Sequence, residues 1–334
     1  DRPTDVKPGM VYYNKDFKTI EFWDGNFWRQ VDNTTTRGRG IWMCGFSPNY
    51  TSTIGFINVQ SKGNEQAFGE SVNGVAINKA GSANSIRGIW GGEQNPSGYS
   101  TDMDYVTMAS EGDSIDFGDL SQARATYGGS FSSSTRGVWA GGYNNTLSPK
   151  SVNTMDYVQI GTLGNALDFG DMRQKQYNHT AASSPTKGFI FSGSLGDGNE
   201  IQMSNIASAG ETMAEVGVTA TDTGSMMACA NSVRAVIFGG GNPITEMIQS
   251  FSMSSLGNAV EFGNLSAVKM LGAAVADGTR AVSVSGRNPT TVNIIEFVQI
   301  ATGGEAEDFG DMTDGLGRQK FMACSDSHGG LGGF

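Results

Sequence analysis

The chain has 334 residues, enough for one large domain or two ordinary ones, and its formal charge of −11 excludes a nucleic-acid surface built on clustered Lys and Arg. Charged residues make up only 16% while glycine reaches 48 residues and hydrophobic residues 38%, a mixture that suits many short strands and tight turns around a real core. No apolar run approaches the length of a membrane span, no secretory signal opens the chain, and the negative charge disfavours an anionic membrane surface.

In chain order, the first 36 residues come as a unit of their own. Pro8-Gly9-Met10-Val11-Tyr12-Tyr13-Asn14, Thr19-Ile20-Glu21-Phe22-Trp23 and Phe27-Trp28-Arg29-Gln30-Val31 read as three aromatic strands separated by two turn signals, with Asp24-Gly25 as a hairpin turn. Three strands are marginal alone, so Tyr13, Phe22, Trp23 and Trp28 are expected to pack on the rest of the chain or on further copies. This segment resembles a small β-module of tail-fibre and related virion proteins of tailed bacteriophages. The glycine-rich end, Ser327-His328-Gly329-Gly330-Leu331-Gly332-Gly333-Phe334, is similar to such proteins too. The resemblance implies a place on the virion surface, contacts with other virion proteins through the N-terminal segment, and a homo-oligomer, with a trimer expected. Because the chain starts at Asp1 and not Met, it is expected to be a processed or excerpted part of a longer polypeptide.

From residue 37 onward a repeat dominates. The motif Arg136-Gly137-Val138-Trp139-Ala140-Gly141-Gly142 recurs with its basic residue at Arg39, Arg87, Arg136, Lys187, Arg234 and Arg280, at intervals of 48, 49, 51, 47 and 46 residues. A second marker follows in phase: Asp116-Phe117-Gly118-Asp119, Asp168-Phe169-Gly170-Asp171, Glu261-Phe262-Gly263-Asn264 and Asp308-Phe309-Gly310-Asp311. Phe68-Gly69-Glu70 and Glu215-Val216-Gly217 are weaker versions. Between the markers, runs such as Met155-Asp156-Tyr157-Val158-Gln159-Ile160 alternate with the period of a half-buried strand. Each unit thus supplies four strands, a to d; in the third, a spans about 125–131, b 137–141, c 155–160 and d 166–169. Four strands in a period near 48 match one blade of a β-propeller. The Gly pairs ending strand b suit positions of positive φ and close approach.

The order Arg, strand, Gly-Gly, loop, Asp-Tyr strand, aromatic strand resembles the kelch repeat. It departs from that pattern where Phe117, Phe169 and Phe309 replace the usual Trp of strand d. The expected fold is all-β: a six-bladed kelch-like propeller over 37–334 behind the three-stranded motif of 1–36. The first unit lacks a strand a, and Lys320-Phe321-Met322-Ala323-Cys324-Ser325-Asp326 matches one, so the C-terminal strand is expected to close blade one.

Candidate chemistry is sparse. The DFG-Asp segments repeat without a phosphate loop or catalytic-loop motif, which makes them structural and not a kinase metal site. The repeated Arg is read as holding the turn between strands a and b, the alternative being a basic ring for an acidic ligand. His179 and His328 are too few for an oxidase-type copper site, and Cys44, Cys229 and Cys324 form neither a disulfide framework nor a zinc knuckle. No sialidase boxes occur; a glycosidase-type carboxylate pair stays open. No enzyme activity, metal or cofactor is therefore expected. The b-to-c loops vary most: 47–53, 93–101, 143–152, 194–199, 241–245 and 287–292. Rigid frames present function on such loops, and Tyr50, Tyr99, Tyr143, Asn95, Asn144 and Asn145 offer flat faces with amide groups suited to a sugar or polar protein surface. The expected function is host attachment by a phage tail-fibre or spike component that binds a surface glycan or protein. The alternatives are a structural virion subunit (head fibre or decoration protein), a cellular kelch-type interaction module, or a glycan-processing enzyme.

Overall fold

The computed structural model describes every residue except 1–2, 4, 15–18, 24, 26–27, 31–37, 194–197, 314, 316 and 333–334. Contacts divide the chain into residues 1–37 and 38–334. In the first unit, Val11–Asn14, Thr19–Trp23 and Trp28–Gln30 form an antiparallel sheet in sequence order. The register sets Val11 opposite Phe22 and Tyr13 opposite Ile20, so alternation places all four side chains on one face, and all four are exposed. Glu21, on the other face, is buried. The turn residues Asp24 and Asn26, and Phe27, lie outside the described residues, as does the side chain of Trp28.

The second unit is a six-bladed β-propeller. In blade two, a is Ala80–Ala83, b Arg87–Asn95, c Gly98–Thr107 and d Ile115–Asp119, joined antiparallel in that order. Blade three uses Ser130–Ser132, Arg136–Tyr143, Ser151–Gln159 and Leu167–Asp171, with Glu211–Thr212 adding a short parallel rung outside strand d. The corresponding strands b are Lys187–Phe191, Arg234–Phe238 and Arg280–Asn288 in blades four, five and six. In blade one, Arg39–Phe46, Tyr50–Asn58 and Gln66–Glu70 follow one another, and strand a is Met322–Ser325, paired with Arg39–Phe46 from the other end of the chain.

Strand a is shorter than the alternation predicts, because its first residues are spent elsewhere. Asn78, Tyr127, Asn178, Ser225, Leu271 and Lys320 each have φ between 53° and 61°, one per blade, just before strand a. Asn78, Tyr127, Ser225, Leu271 and Lys320 donate their N–H to the carbonyl of the preceding member, at 2.7–3.1 Å. Those bonds offset the roughly 1 kcal/mol that a left-handed L-residue costs. They encircle the axis at the end where the b-to-c loops emerge. Below them a channel of about 70 Å³ is lined by strands a, including Ser130, Thr180, Met227 and Met322. Its other end is filled by the C-terminal segment: His328 Nε2 lies 2.8 Å from the Ala83 carbonyl oxygen, and a one-turn 3-10 helix, Gly329–Leu331, follows.

The in-phase markers are blade-to-blade joints. The carbonyls of Phe68, Phe117, Phe169, Val216, Phe262 and Phe309 accept from the N–H of Gly112, Gly164, Gly210, Gly257, Gly304 and Gly63, each in the c-to-d connection of the next blade. A Cβ on Gly118 would meet the Gly164 carbonyl at 2.6 Å, which explains glycine after the buried Phe. The basic markers reach across too. Arg136 donates to Ile206 and Ala207 carbonyls and stacks on Tyr157; Arg234 and Arg280 do the same at Ile300 and Ala301, and at Val59 and Gln60. Arg39 and Arg87 reach Met108 and Ile160. The Arg therefore joins two blades and does not hold its own a-to-b turn. A side chain oxygen does that: Asn84 Oδ1, for example, accepts from Ile86 and Arg87 N–H. The alternative of a basic ring for an acidic ligand meets the same obstacle, since these guanidinium groups are already spent on carbonyls and ring faces.

Candidate functional site

In blades one, two, three and six the b-to-c hairpins are raised by a β-bulge at the end of strand b. In blade two the register shifts between Gly91 and Glu93, leaving Gly92 with φ +68° as the extra residue, where a Cβ would strike Thr126. Past the bulge, Gln94 pairs with Tyr99 and Asn95 with Gly98, so the hairpin stands above the ring. Blade three repeats this, with Tyr143 opposite Ser151.

Buried charges brace the hairpins from below. Lys79 Nζ lies 2.6 Å from Asp104 and 2.9 Å from Glu93, all three out of solvent, and Ser71 and Ser114 hydroxyls also donate to Asp104. Burial pulls the Lys79 pKa down, but the two carboxylates outweigh it and hold the ammonium charged. Arg124 bridges Asp156 at 2.8 Å and the Gly141 carbonyl at 2.8 Å, tying the connection before blade three to its strand b. Removing one member of such a pair would strand a buried charge, so these groups belong to the frame.

On that frame the structure brings Tyr99 and Tyr143 together, ring centroids 6.2 Å apart and edge-on. Tyr143 packs on Tyr177 at 4.9 Å, and Tyr177 on Tyr127 at 5.5 Å. Tyr50 sits against Phe46 at 5.9 Å and is close enough for its phenol to influence those of Tyr99 and Tyr127. All five tyrosines are half-buried. Burial, then the neighbouring phenols, raises the pKa of Tyr99 and Tyr127, so these two stay neutral across the physiological range. Tyr127 and Tyr177 were not singled out from sequence, because they lie on d-to-a connections that look like scaffold. The signal was the repeat register: Tyr127 occupies the ring position of Asn78 and Asn178.

The asparagines divide. Asn144 is buried and occupied, its Oδ1 accepting from the N–H and hydroxyl of Thr146 while Nδ2 donates to the Ala123 carbonyl. Asn95 likewise accepts from Ser97 N–H and donates to Glu93. Both shape their loops and offer little to a ligand. Asn145 is exposed. Of the varied loops, residues 194–197 lie outside the described residues.

Neither histidine belongs to this patch. His179 is enclosed beneath blade three with Nε2 2.9 Å from the Ala140 carbonyl, and His328 is in the channel plug. Burial raises the thiol of Cys44 to about 11, and Cys229 and Cys324 are raised by the same cause. Among the described residues, no three His, Cys, Asp or Glu side chains converge as a metal site. No family model matches the chain, and no curated protein matches it in sequence.

Proposed function

We propose that the protein is a phage virion attachment component whose propeller binds a host surface glycan on the tyrosine arc. The observation that carries the binding reading is the arc itself: five half-buried rings from blades one to three and the connection into blade four, held by buried ion pairs and open at one end of the axis. Rigid aromatic faces stack on the apolar faces of sugar rings, while the phenol oxygens remain for hydroxyl groups. The virion setting rests on the resemblance of residues 1–36 and of the glycine-rich end. In this reading the N-terminal sheet joins other virion proteins or further copies, with three copies expected.

A structural virion subunit is the second reading. It is favoured by exposed apolar side chains away from the arc: Ile86 and Val233 in a-to-b turns, Leu163 in a c-to-d connection, and Ile115, Leu167 and Val260 at the start of strands d. Binding of the intact chain to host cells and to a glycan array separates the two. Tyr99→Ala with Tyr143→Ala should weaken attachment by about 1–3 kcal/mol with folding intact. Attachment unchanged in that double variant would remove the arc from the function.

A further inference from the structure

The tyrosine arc leads to two cations. Tyr50 packs on Phe46, and the backbone of Phe46 exchanges hydrogen bonds in both directions with Gln319, next to Lys320. Lys320 is also tied to the tyrosines through the axial ring, since its carbonyl accepts from Asn78 and the Asn78 carbonyl from Tyr127. Arg287, exposed at the top of strand b in blade six, exchanges backbone hydrogen bonds with Met270. The carbonyl of the next residue, Leu271, accepts from Lys320 N–H at 2.7 Å, so the backbone sets the two cations on neighbouring segments. The arginine adds to the burial that lowers the lysine's pKa. Apart from one bond from its Nε to the Pro289 carbonyl, the exposed Arg287 side chain makes no hydrogen bond or ion pair among the described residues.

Two like charges side by side are unfavourable, and in a chain of net charge −11 a compensating carboxylate is easy to supply. Among the described residues none pairs with either cation; Asp314 lies outside them. The buried carboxylates of the flanking blades are already engaged, Glu65 with Arg318 and Glu296 with Lys269. Lys320 also holds φ +58° at a ring position that Asn78 and Asn178 fill elsewhere, and asparagine tolerates that conformation better than lysine.

We infer that Lys320 and Arg287 form an anion subsite at the end of the tyrosine arc, and that the saccharide bound there is acidic, carrying carboxylates of the uronate or related type. This rests on the saccharide reading above and narrows its ligand class. The rings would stack on sugar faces while the two cations receive a carboxylate, a charge-assisted contact that the rings alone cannot make.

The test uses the intact chain and two probes, oligogalacturonate and its carboxyl-reduced counterpart, with affinity measured at low and raised salt. The wild type should prefer the uronate, and that preference should shrink with salt. Lys320→Asn with Arg287→Gln should cost about tenfold on the uronate and leave the reduced probe unaffected. Tyr99→Ala with Tyr143→Ala should weaken both probes. Equal wild-type affinity for the two probes, or an unaltered uronate affinity in the cation variant, overturns the subsite while the arc stands. Poly-glutamate binding as tightly as the uronate overturns the saccharide class. Binding of neither probe, even by the wild type, sinks the subsite, whereas attachment to host cells still judges the arc.

Discussion

His179 has Nε2 committed to the Ala140 carbonyl, and a Cβ on Gly129 would collide with its ring. Burial, with help from Arg124 nearby, lowers its pKa from 6.5 to about 4 in spite of that bond. A folded-state pKa below the unfolded one means the unfolded chain binds the proton first. The stabilisation is complete above pH 6.5 and is lost as pH falls toward 4, at most about 3 kcal/mol from this one group. His328 shifts in the same direction for the same reason, its burial in the channel plug. Urea unfolding should thus show stability dropping between pH 6.5 and 4, with a shallower drop in His179→Gln. An identical slope in that variant would mean other groups set the acid response. His179 also marks a limit of reading residues singly. Its neighbours in sequence gave no hint of burial, because the ring is enclosed by Gly129 and Gly141 from the preceding unit.

Joints between elements follow the same logic. Arg136 reaches Ile206 and Ala207 at 2.8 and 3.0 Å and lies 4.5 Å from the Tyr157 ring, so one side chain links strand b of blade three to the end of strand c in blade four. Arg136→Met should cost about 1–3 kcal/mol in chemical unfolding, and Arg136→Lys should recover only part, since an ammonium cannot match the planar fork. Full recovery by lysine would reduce the joint to simple charge. The regular interval of this Arg was plain in sequence, and so was the phase of Phe117-Gly118. That both act across blades was not, because a one-dimensional repeat does not say which copy a side chain touches. The tyrosine arc was half legible for a related reason: Tyr99 and Tyr143 stand on loops of unequal length, whereas Tyr127 and Tyr177 hide in connections that repeat. In the N-terminal sheet, Val11, Tyr13, Ile20 and Phe22 share one exposed face. If that face joins copies, the intact chain should sediment as an oligomer, and Val11→Lys with Phe22→Lys should shift it toward monomer. A monomeric wild type would leave the face to a different partner.

At the scale of the whole molecule the ring depends on one seam made by the two ends of the propeller segment. Five blades take all their strands from contiguous sequence, while blade one combines Arg39–Phe46 with Met322–Ser325. Asp326 Oδ1 completes the seam by accepting from the N–H of Gly38 and Arg39 at 2.7 and 3.0 Å, the role that Asn84 plays within a continuous turn. Beyond it, Gly330 fits so closely under the Ser132 carbonyl that a Cβ there would collide. Removing residues 319–334 takes away the strand, the seam, the plug and the Lys320 link of the axial ring together. It exposes the inner edge of Arg39–Phe46, an unpaired strand able to recruit other chains. That truncated protein should lose its single cooperative transition or aggregate. Removing only 327–334 keeps the strand and Asp326, and should still fold with a lower midpoint, because only the channel end is opened. Two normal, equally stable truncations would show that the ring holds without its seam. Equal collapse of both would instead assign closure to the plug, through His328 and the glycines that follow it.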